Sequence, residues 1–223
     1  MTKGASYTPA LGYERLTPLY DIAVALLTRE RLWRNMLVSQ VSPNSSDRIL
    51  DVGCGTGTLA IQLKSEAPAV NVVALDPDPS VILRAQRKAN KKNLEIDWRV
   101  GFLDEPISES LGKFTKVVSS LVLHQTPLKE KRRILRLARS LLRTGGTLHI
   151  ADYGCQPSWL MRKLFRNTVQ RIDGIPDTQP NADGVLPDLM KSAGFTDVRE
   201  TSLIGTLTGS ISVYRAKAGA QAK

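Results

Sequence analysis

Apolar and polar positions follow one another along this chain in two rhythms. Short apolar or β-branched runs at 48–52, 71–76, 95–100, 115–120 and 147–151 read as buried strands. The stretches near 57–66, 79–91 and 128–142 carry apolar residues at helical spacing. Strands that alternate with helices through short links predict a parallel, doubly wound sheet flanked by helices. Two further strands, Thr196–Leu203 and Leu207–Arg215, turn at Gly205 and are expected to bring in antiparallel pairing at the C-terminal end. The expected fold class is α/β, with a mostly parallel sheet of seven strands.

The remaining segments frame that core. Residues 13–41 read as one or two amphipathic helices, with Thr17-Pro18 suited to a helix start. Residues 1–46 are thus expected to form an N-terminal helical cap, joined by the polar linker Pro43–Asp47 to a core at 47–153. Thr144-Gly145-Gly146 is expected to close the long helix as a C-cap. The rhythm breaks at 154–187. Ser158–Phe165 reads as an amphipathic helix, and Gly174–Pro187, rich in Pro, Gly, Asp and Asn, reads as loops over the substrate side. Residues 188–223 complete the core with the end of a helix, Leu186–Ala193, stopped at Gly194, then the two strands and a flexible tail from Ala216.

The most informative segment is Ile49–Ala60. A strand ends in Asp51-Val52, and Gly53, Gly55 and Gly57 fall on alternate positions before a helix. Such a turn lets a ligand reach the backbone. The spacing is not the G-x-G-x-x-G that seats a pyrophosphate, because the third glycine comes one residue early. The pattern D-x-G-x-G-x-G resembles motif I of the class I S-adenosylmethionine (SAM)-dependent methyltransferases. A carboxylate at Asp51 suits the ammonium of such a ligand. A second strand ends in Asp76, at the distance where an acid bonds ribose hydroxyls in dinucleotide-type folds; ionised Asp accepts from both members of a vicinal diol. Asp76 could equally open the turn before Pro77 and cap the next helix.

The order of elements from 13 to 215 also resembles that family, and implies a Rossmann-like core with SAM as cofactor and S-adenosylhomocysteine as product. Tyr20-Asp21, Ser119–His124 and Leu142–Leu148 are similar to the ubiquinone/menaquinone-methyltransferase-like group that acts on small molecules. The resemblance implies cofactor contacts at Asp51, Gly53, Cys54, Gly55, Gly57, Asp76, Pro77 and Ser119, with Ser120 beside it and Tyr20 closing from the N-terminal helix. Phe102 stands where the family often has an adenine-binding Asp, so backbone or aromatic contacts from Phe102 and Leu103 are expected there instead. Asp104 is either a substitute acid or an exposed turn residue. His124 is expected near the transferred methyl, as a general base or an orienter of substrate. Asp152 and Tyr153, at the end of the fifth strand, are substrate candidates, whereas His149 reads as packed structure.

Composition narrows the partners. The net charge of +10 favours anionic partners, and basic residues line helices near 84–92 and 131–143. The face of Arg132, Arg136, Arg139 and Arg143 reads as solvated, or as a surface for anionic membrane or nucleic acid. No N/D-P-P-Y-type or Pro-Cys motif follows the fourth strand and no RNA-binding module is visible, which argues against nucleic acid. Two cysteines give no disulfide framework, and the spacing of the two histidines offers no metal cluster. A cytoplasmic setting, with peripheral contact to a membrane, is the expected home. The acceptor is expected to be a small metabolite such as a quinone precursor, or a lipid headgroup.

Overall fold

A computed structural model describes residues 27–219. Tyr20, Asp21, the Thr17-Pro18 helix start and the last four residues of the tail lie outside them. Helix α1 (Glu30–Val41) leads into β1 (Arg48–Val52), α2 (Thr58–Glu66), β2 (Asn71–Asp76), α3 (Pro79–Asn90), β3 (Asp97–Val100) and α4 (Glu105–Leu111). Then come β4 (Phe114–Ser120), a short 3-10 turn at Leu123–Gln125, α5 (Leu128–Leu141) and β5 (Leu142–Tyr153). Helices α6 (Trp159–Asn167), α7 (Val169–Asp173), α8 (Ile175–Ala182) and α9 (Leu186–Ser192) precede β6 (Phe195–Thr206) and β7 (Gly209–Ala218).

The seven strands lie in the order β3-β2-β1-β4-β5-β7-β6. All neighbours up to β5 are parallel, and β7 runs antiparallel to both β5 and β6. The order reverses between β1 and β4, and the crevice at that switch point, outside the carboxyl ends of the strands, is where such sheets bind ligands. Both faces of the sheet are covered. Trp33, Leu37, Leu63, Val72 and Val118 pack on one side, and Leu50, Val73, Leu135, Ile150 and Met190 on the other. This two-sided burial explains why the central strands read as continuous apolar runs.

Several boundaries differ from the sequence expectation. The Thr144–Gly146 segment is no helix cap: α5 ends at Leu141, β5 begins at once, and the glycines form an irregularity in its pairing with β4, with Gly145 at φ +78°. Asp104 is no bare turn residue. Its carboxylate accepts from the Ile107 amide at 3.0 Å and caps α4, a helix the sequence reading passed over. Gly174–Pro187 is mostly helix. Pro176 and Pro187 fall in the first turns of α8 and α9, where a missing N–H costs nothing. The last hairpin turns at Leu207-Thr208, where the Thr206 hydroxyl bonds the Gly209 carbonyl, and Gly205 is paired within β6. The tail is strand as far as Ala218.

The glycine turn has a steric logic that substitution exposes. A Cβ on Gly57, at φ +76°, would stand 2.5 Å from the Trp98 ring and 2.7 Å from Ala85 Cβ. One on Gly55, at φ +51°, would meet nothing within 4 Å. Gly57→Ala is therefore expected to cost about 2–4 kcal/mol from left-handed strain plus overpacking. Gly55→Ala should cost only about 1–2 kcal/mol, the strain alone. Urea unfolding of the two variants measures the difference; equal losses would show that Trp98 does not brace the turn.

Candidate functional site

The turn after β1 is held by its own amides. Gly53 N and Cys54 N both donate to the Leu75 carbonyl, at 2.8 and 3.0 Å, which clips the turn to the end of β2. Gly55 N donates to Asp76 Oδ2 at 2.8 Å, and Asp78 N donates to Asp76 Oδ1 at 3.0 Å. Each Asp76 oxygen thus takes one backbone donor and keeps capacity for another. Burial raises the Asp76 pKa, and those two amides work against the rise. The cap of α3 is Asp78, whose carboxylate accepts from Ser80 N at 2.7 Å, so Asp76 is not the capping residue. Pro77 lies half-buried between the two acids.

Asp51 is the anomaly of the site. It is fully buried in β1, and among the described residues neither carboxylate oxygen has a hydrogen-bond partner. Burial pushes its pKa up to about 7; the Arg34 charge opposes that rise and the Asp76 charge adds to it. The Ala60 amide leans the same way as Arg34 without reaching hydrogen-bonding geometry. An unpaired buried carboxylate is costly unless something cationic completes it. An ammonium is the kind of group that would complete it.

The other predicted cofactor residues take differing positions. Phe102 follows β3 and is half-exposed, and Leu103 next to it is buried. Cys54 is buried within the turn; burial and the Asp51 and Asp76 charges push its thiol up, which makes it an inert wall. The Ser119 hydroxyl is not open to a ligand, since it donates to the Val52 carbonyl at 2.8 Å and ties β4 to β1. Ser120, next along, is half-buried.

A second cluster sits in the loop after β4. His124 Nδ1 lies 2.7 Å from Asp152 Oδ1, and its Nε2 lies 3.5 Å from Asp173 Oδ2. Burial alone would lower its pKa, but Asp152, by charge and hydrogen bond, and then Asp173 outweigh burial and lift it to about 9. His124 is an imidazolium at neutral pH. The ion pair adds stability that is complete below about pH 6.5 and lost as pH rises through about 9. The Asp152 carboxylate is engaged within the protein: its oxygens accept from the Val122, Leu123 and Tyr153 amides as well as from His124. The Tyr153 hydroxyl bonds Thr208 Oγ1 at 2.7 Å, and its ring meets His124 edge-on at 5.0 Å. Both residues thus contact His124. His149 is packed structure, bonded to Gln40 and Thr147; burial, with Arg215 and Lys116 nearby, lowers its pKa to about 3.

Three residues escaped the sequence reading. Arg34 faces Asp51 from α1, Asp173 reaches His124 from α7, and Lys131 turns inward from the basic helix α5. Lys131 is fully buried and donates to the carbonyls of His124 and Asp177, and burial brings its pKa down to about 8. A lysine within a run of basic residues carries no local sign of burial. Among the described residues no cluster of His, Cys, Asp and Glu could hold a metal.

A methyltransferase-domain profile matches residues 49–146, the stretch from β1 through the start of β5. The chain is 27% identical over 213 residues to the ubiquinone/menaquinone biosynthesis C-methyltransferase UbiE of Geobacter sp. strain M21, covering 85% of this chain and 88% of that one. It is 32% identical over 118 residues to the ribosomal RNA small subunit methyltransferase C of Erwinia tasmaniensis, covering 52% of this chain and 34% of that one. In fold it is similar to the magnesium protoporphyrin IX methyltransferase of Synechocystis PCC 6803 with bound SAM, with a TM-score of 0.62 and 18% identity over 93% of this chain and 86% of that one.

The raised pKa of Asp51 makes ligand binding proton-linked. An ammonium placed against Asp51 favours its ionised form, so binding of SAM should release protons, about half a proton at pH 7 and less above pH 8. Calorimetry in buffers of differing ionisation enthalpy reads this directly. Asp51→Asn should abolish the release, and a wild-type protein with no buffer dependence at pH 7 would remove the ammonium from Asp51.

Proposed function

We propose that this chain, a class I SAM-dependent methyltransferase of the ubiquinone/menaquinone-methyltransferase-like group, methylates a small apolar acceptor of the hydroquinone type. The family and its small-molecule chemistry follow from the matching profile and the near full-length likeness to a quinone C-methyltransferase. The observation that carries the acceptor class is His124, buried in the loop after β4 between the carboxylates of Asp152 and Asp173, which favour its cationic form. A cation there favours an acceptor that becomes anionic as it reacts. The ribosomal RNA relative supports a weaker alternative, because the likeness spans only a third of that protein.

SAM supplies a methyl group on a sulfonium, whose leaving group is a neutral thioether. The work of the chain is then to bind, orient and exclude water. Asp76 takes the ribose hydroxyls, Asp51 the ammonium, and Phe102 with Leu103 frames the adenine. Orientation of this kind is worth roughly 7–11 kcal/mol of a two-reactant barrier. With the Asp152 and Asp173 carboxylates favouring its protonated form, His124 is cast as an orienter of the acceptor. Its Nε2–H stabilises the oxyanion of an ionising phenol and so assists loss of the hydroxyl proton to solvent. The ring carbon beside that oxygen would gain the electron density to take the methyl group, with the neutral thioether leaving and the ring C–H proton then lost to solvent so that the aromatic ring is restored.

A second feature bears on how an apolar acceptor arrives. Trp159 at the start of α6 is 73% exposed, with Leu160 half-exposed beside it, and the Lys163 ammonium lies 5.0 Å from the Trp159 ring centroid. Arg162 and Arg166 share the helix. An apolar face edged by cations suits peripheral contact with an anionic membrane. No helix among the described residues is long and apolar enough to cross a bilayer.

Two outcomes test this reading. As an orienting cation, His124 should make kcat fall as pH rises through about 9, whereas a base would make kcat rise through its pKa. His124→Asn should lose about 10–100-fold in kcat with little change in SAM affinity. A pH–rate profile rising through that range contradicts the orienting role. Incubation of a cell extract with methyl-labelled SAM should place label in the lipid or small-molecule fraction; label confined to RNA would overturn the acceptor class.

A further inference from the structure

A groove of about 440 Å³ opens at the amino ends of β4 and β5, the end of the sheet opposite the crevice. Its walls are the end of α1, the start of β4, the irregular entry to β5 and Arg215 of β7. Thr147, on its floor, lies on the order of 20 Å along β5 from Tyr153, at about 3.3 Å per residue. The volume falls within the range of small-ligand sites, roughly 300–1,000 Å³.

The charges on these walls do not balance. The acid of the groove, Asp47, is committed to Thr115, Lys116 and the Asn44 amide. Lys116 also donates to the Ser42 carbonyl at 3.0 Å, so it meets the negative end of α1 as well as Asp47. Arg143 and Arg215 are left over. Among the described residues neither guanidinium has a hydrogen-bond or ion-pair partner, although Arg215 is half-buried. The proton order beside them points the same way. Gln40 Nε2 donates to the Tyr214 carbonyl at 3.0 Å and lies 3.1 Å from His149 Nδ1, while its Oε1 accepts from the Thr201 hydroxyl. His149 Nδ1 is therefore an acceptor, and the proton of the neutral ring sits on Nε2. That N–H donates to Thr147 Oγ1 at 2.9 Å. The Thr147 hydroxyl accepts there and keeps its own proton to give, with no acceptor for it among the described residues.

Two guanidinium forks and a hydroxyl proton, with no uncommitted carboxylate, select an anion that carries several oxygens. A phosphate monoester holds close to two negative charges at neutral pH, which matches the two surplus cations. We infer that this groove binds a phosphate monoester, with Arg143 and Arg215 on its oxygens and the Thr147 hydroxyl donating a further bond. The site lies apart from the cofactor crevice and is independent of the reaction proposed above. A soluble phosphoryl metabolite and a phosphatidic acid headgroup carry the same chemistry.

Two arms test the site and separate those sources. One is calorimetry with glycerol 3-phosphate at an ionic strength fixed with sodium chloride. The other is co-sedimentation with phosphatidylcholine vesicles that contain phosphatidic acid. Binding is expected in the first arm, the second or both, and the arm that responds identifies the source. In a responding arm, Arg143→Gln and Arg215→Gln should each weaken binding at least about tenfold, the lower end for hydrogen bonds to a charged group. Arg132→Gln, on the exposed face of α5, should change it by less than about twofold. Absence of binding in both arms would overturn the inference, as would binding that the Arg143 and Arg215 variants leave intact. Equal weakening by Arg132→Gln would also overturn it, because it would show only the general pull of a chain of net charge +10. Arg143 is exposed and unpaired, so its variant should keep the wild-type urea midpoint and stands even if Arg215→Gln disturbs the sheet.

Discussion

The functional half of this molecule depends on a single backbone manoeuvre, the reversal after β1 in which two successive amides return to the Leu75 carbonyl. That clip fixes the distance between the tips of β1 and β2. Gly53, Gly55 and Gly57 each take a positive φ there, a conformation that glycine adopts without strain. The same reversal turns Gly55 N onto Asp76 and leaves empty space beside Gly55. Asp51 and Asp76 are thereby set at neighbouring strand tips with a bare backbone between them. Where a side chain would have protruded, Trp98 and Val122 fill the volume behind Gly57 and Gly53, so the turn is braced from beneath and open from above.

The buried carboxylates divide cleanly by their partners. Asp152 accepts three amides and an imidazolium, and Asp47 accepts from Thr115, Lys116 and the Asn44 amide. Such acids are satisfied from within and hold loops and strands together. Asp51 has nothing of the kind. A protein that keeps an unsatisfied carboxylate in its central sheet gives up stability there, and sites of this type are where ligands are bound. His124 shows a related division within one ring. Its Nδ1 contact at 2.7 Å is a full hydrogen bond, whereas the 3.5 Å contact of Nε2 with Asp173 holds charge without saturating the donor.

How much of this could be read in the residues follows from how local each signal is. The strands were legible because burial on both faces writes itself as apolar runs, and the turn because three glycines on alternate positions have few other uses. Asp51 and Asp76 followed from their place at the strand tips. Short helices were less visible. Helix α4 begins Asp104-Glu105-Pro106, which has the look of a turn, and α8 contains Pro180 in its interior. Thr144–Gly146 has the composition of a helix stop but serves as an irregular strand entry, because tertiary pairing with β4 decides it. Arg34, Lys131 and Asp173 were silent for a different reason. Each acts through a partner far away in sequence, and nothing about an arginine, lysine or aspartate in a polar helix foretells which partner it meets. Ser119 and Asp152 show the converse, with residues at the right strand ends whose polar atoms are committed within the protein.

The central claim is that the crevice between the tips of β1, β2 and β4 holds S-adenosylmethionine by its charges. A crystal structure with S-adenosylhomocysteine tests it most directly. The account requires the amine within hydrogen-bonding distance of Asp51, the ribose hydroxyls on Asp76 and the adenine against Phe102 and Leu103. Density for the ligand elsewhere, or an Asp51 carboxylate still without a partner in the complex, would contradict it.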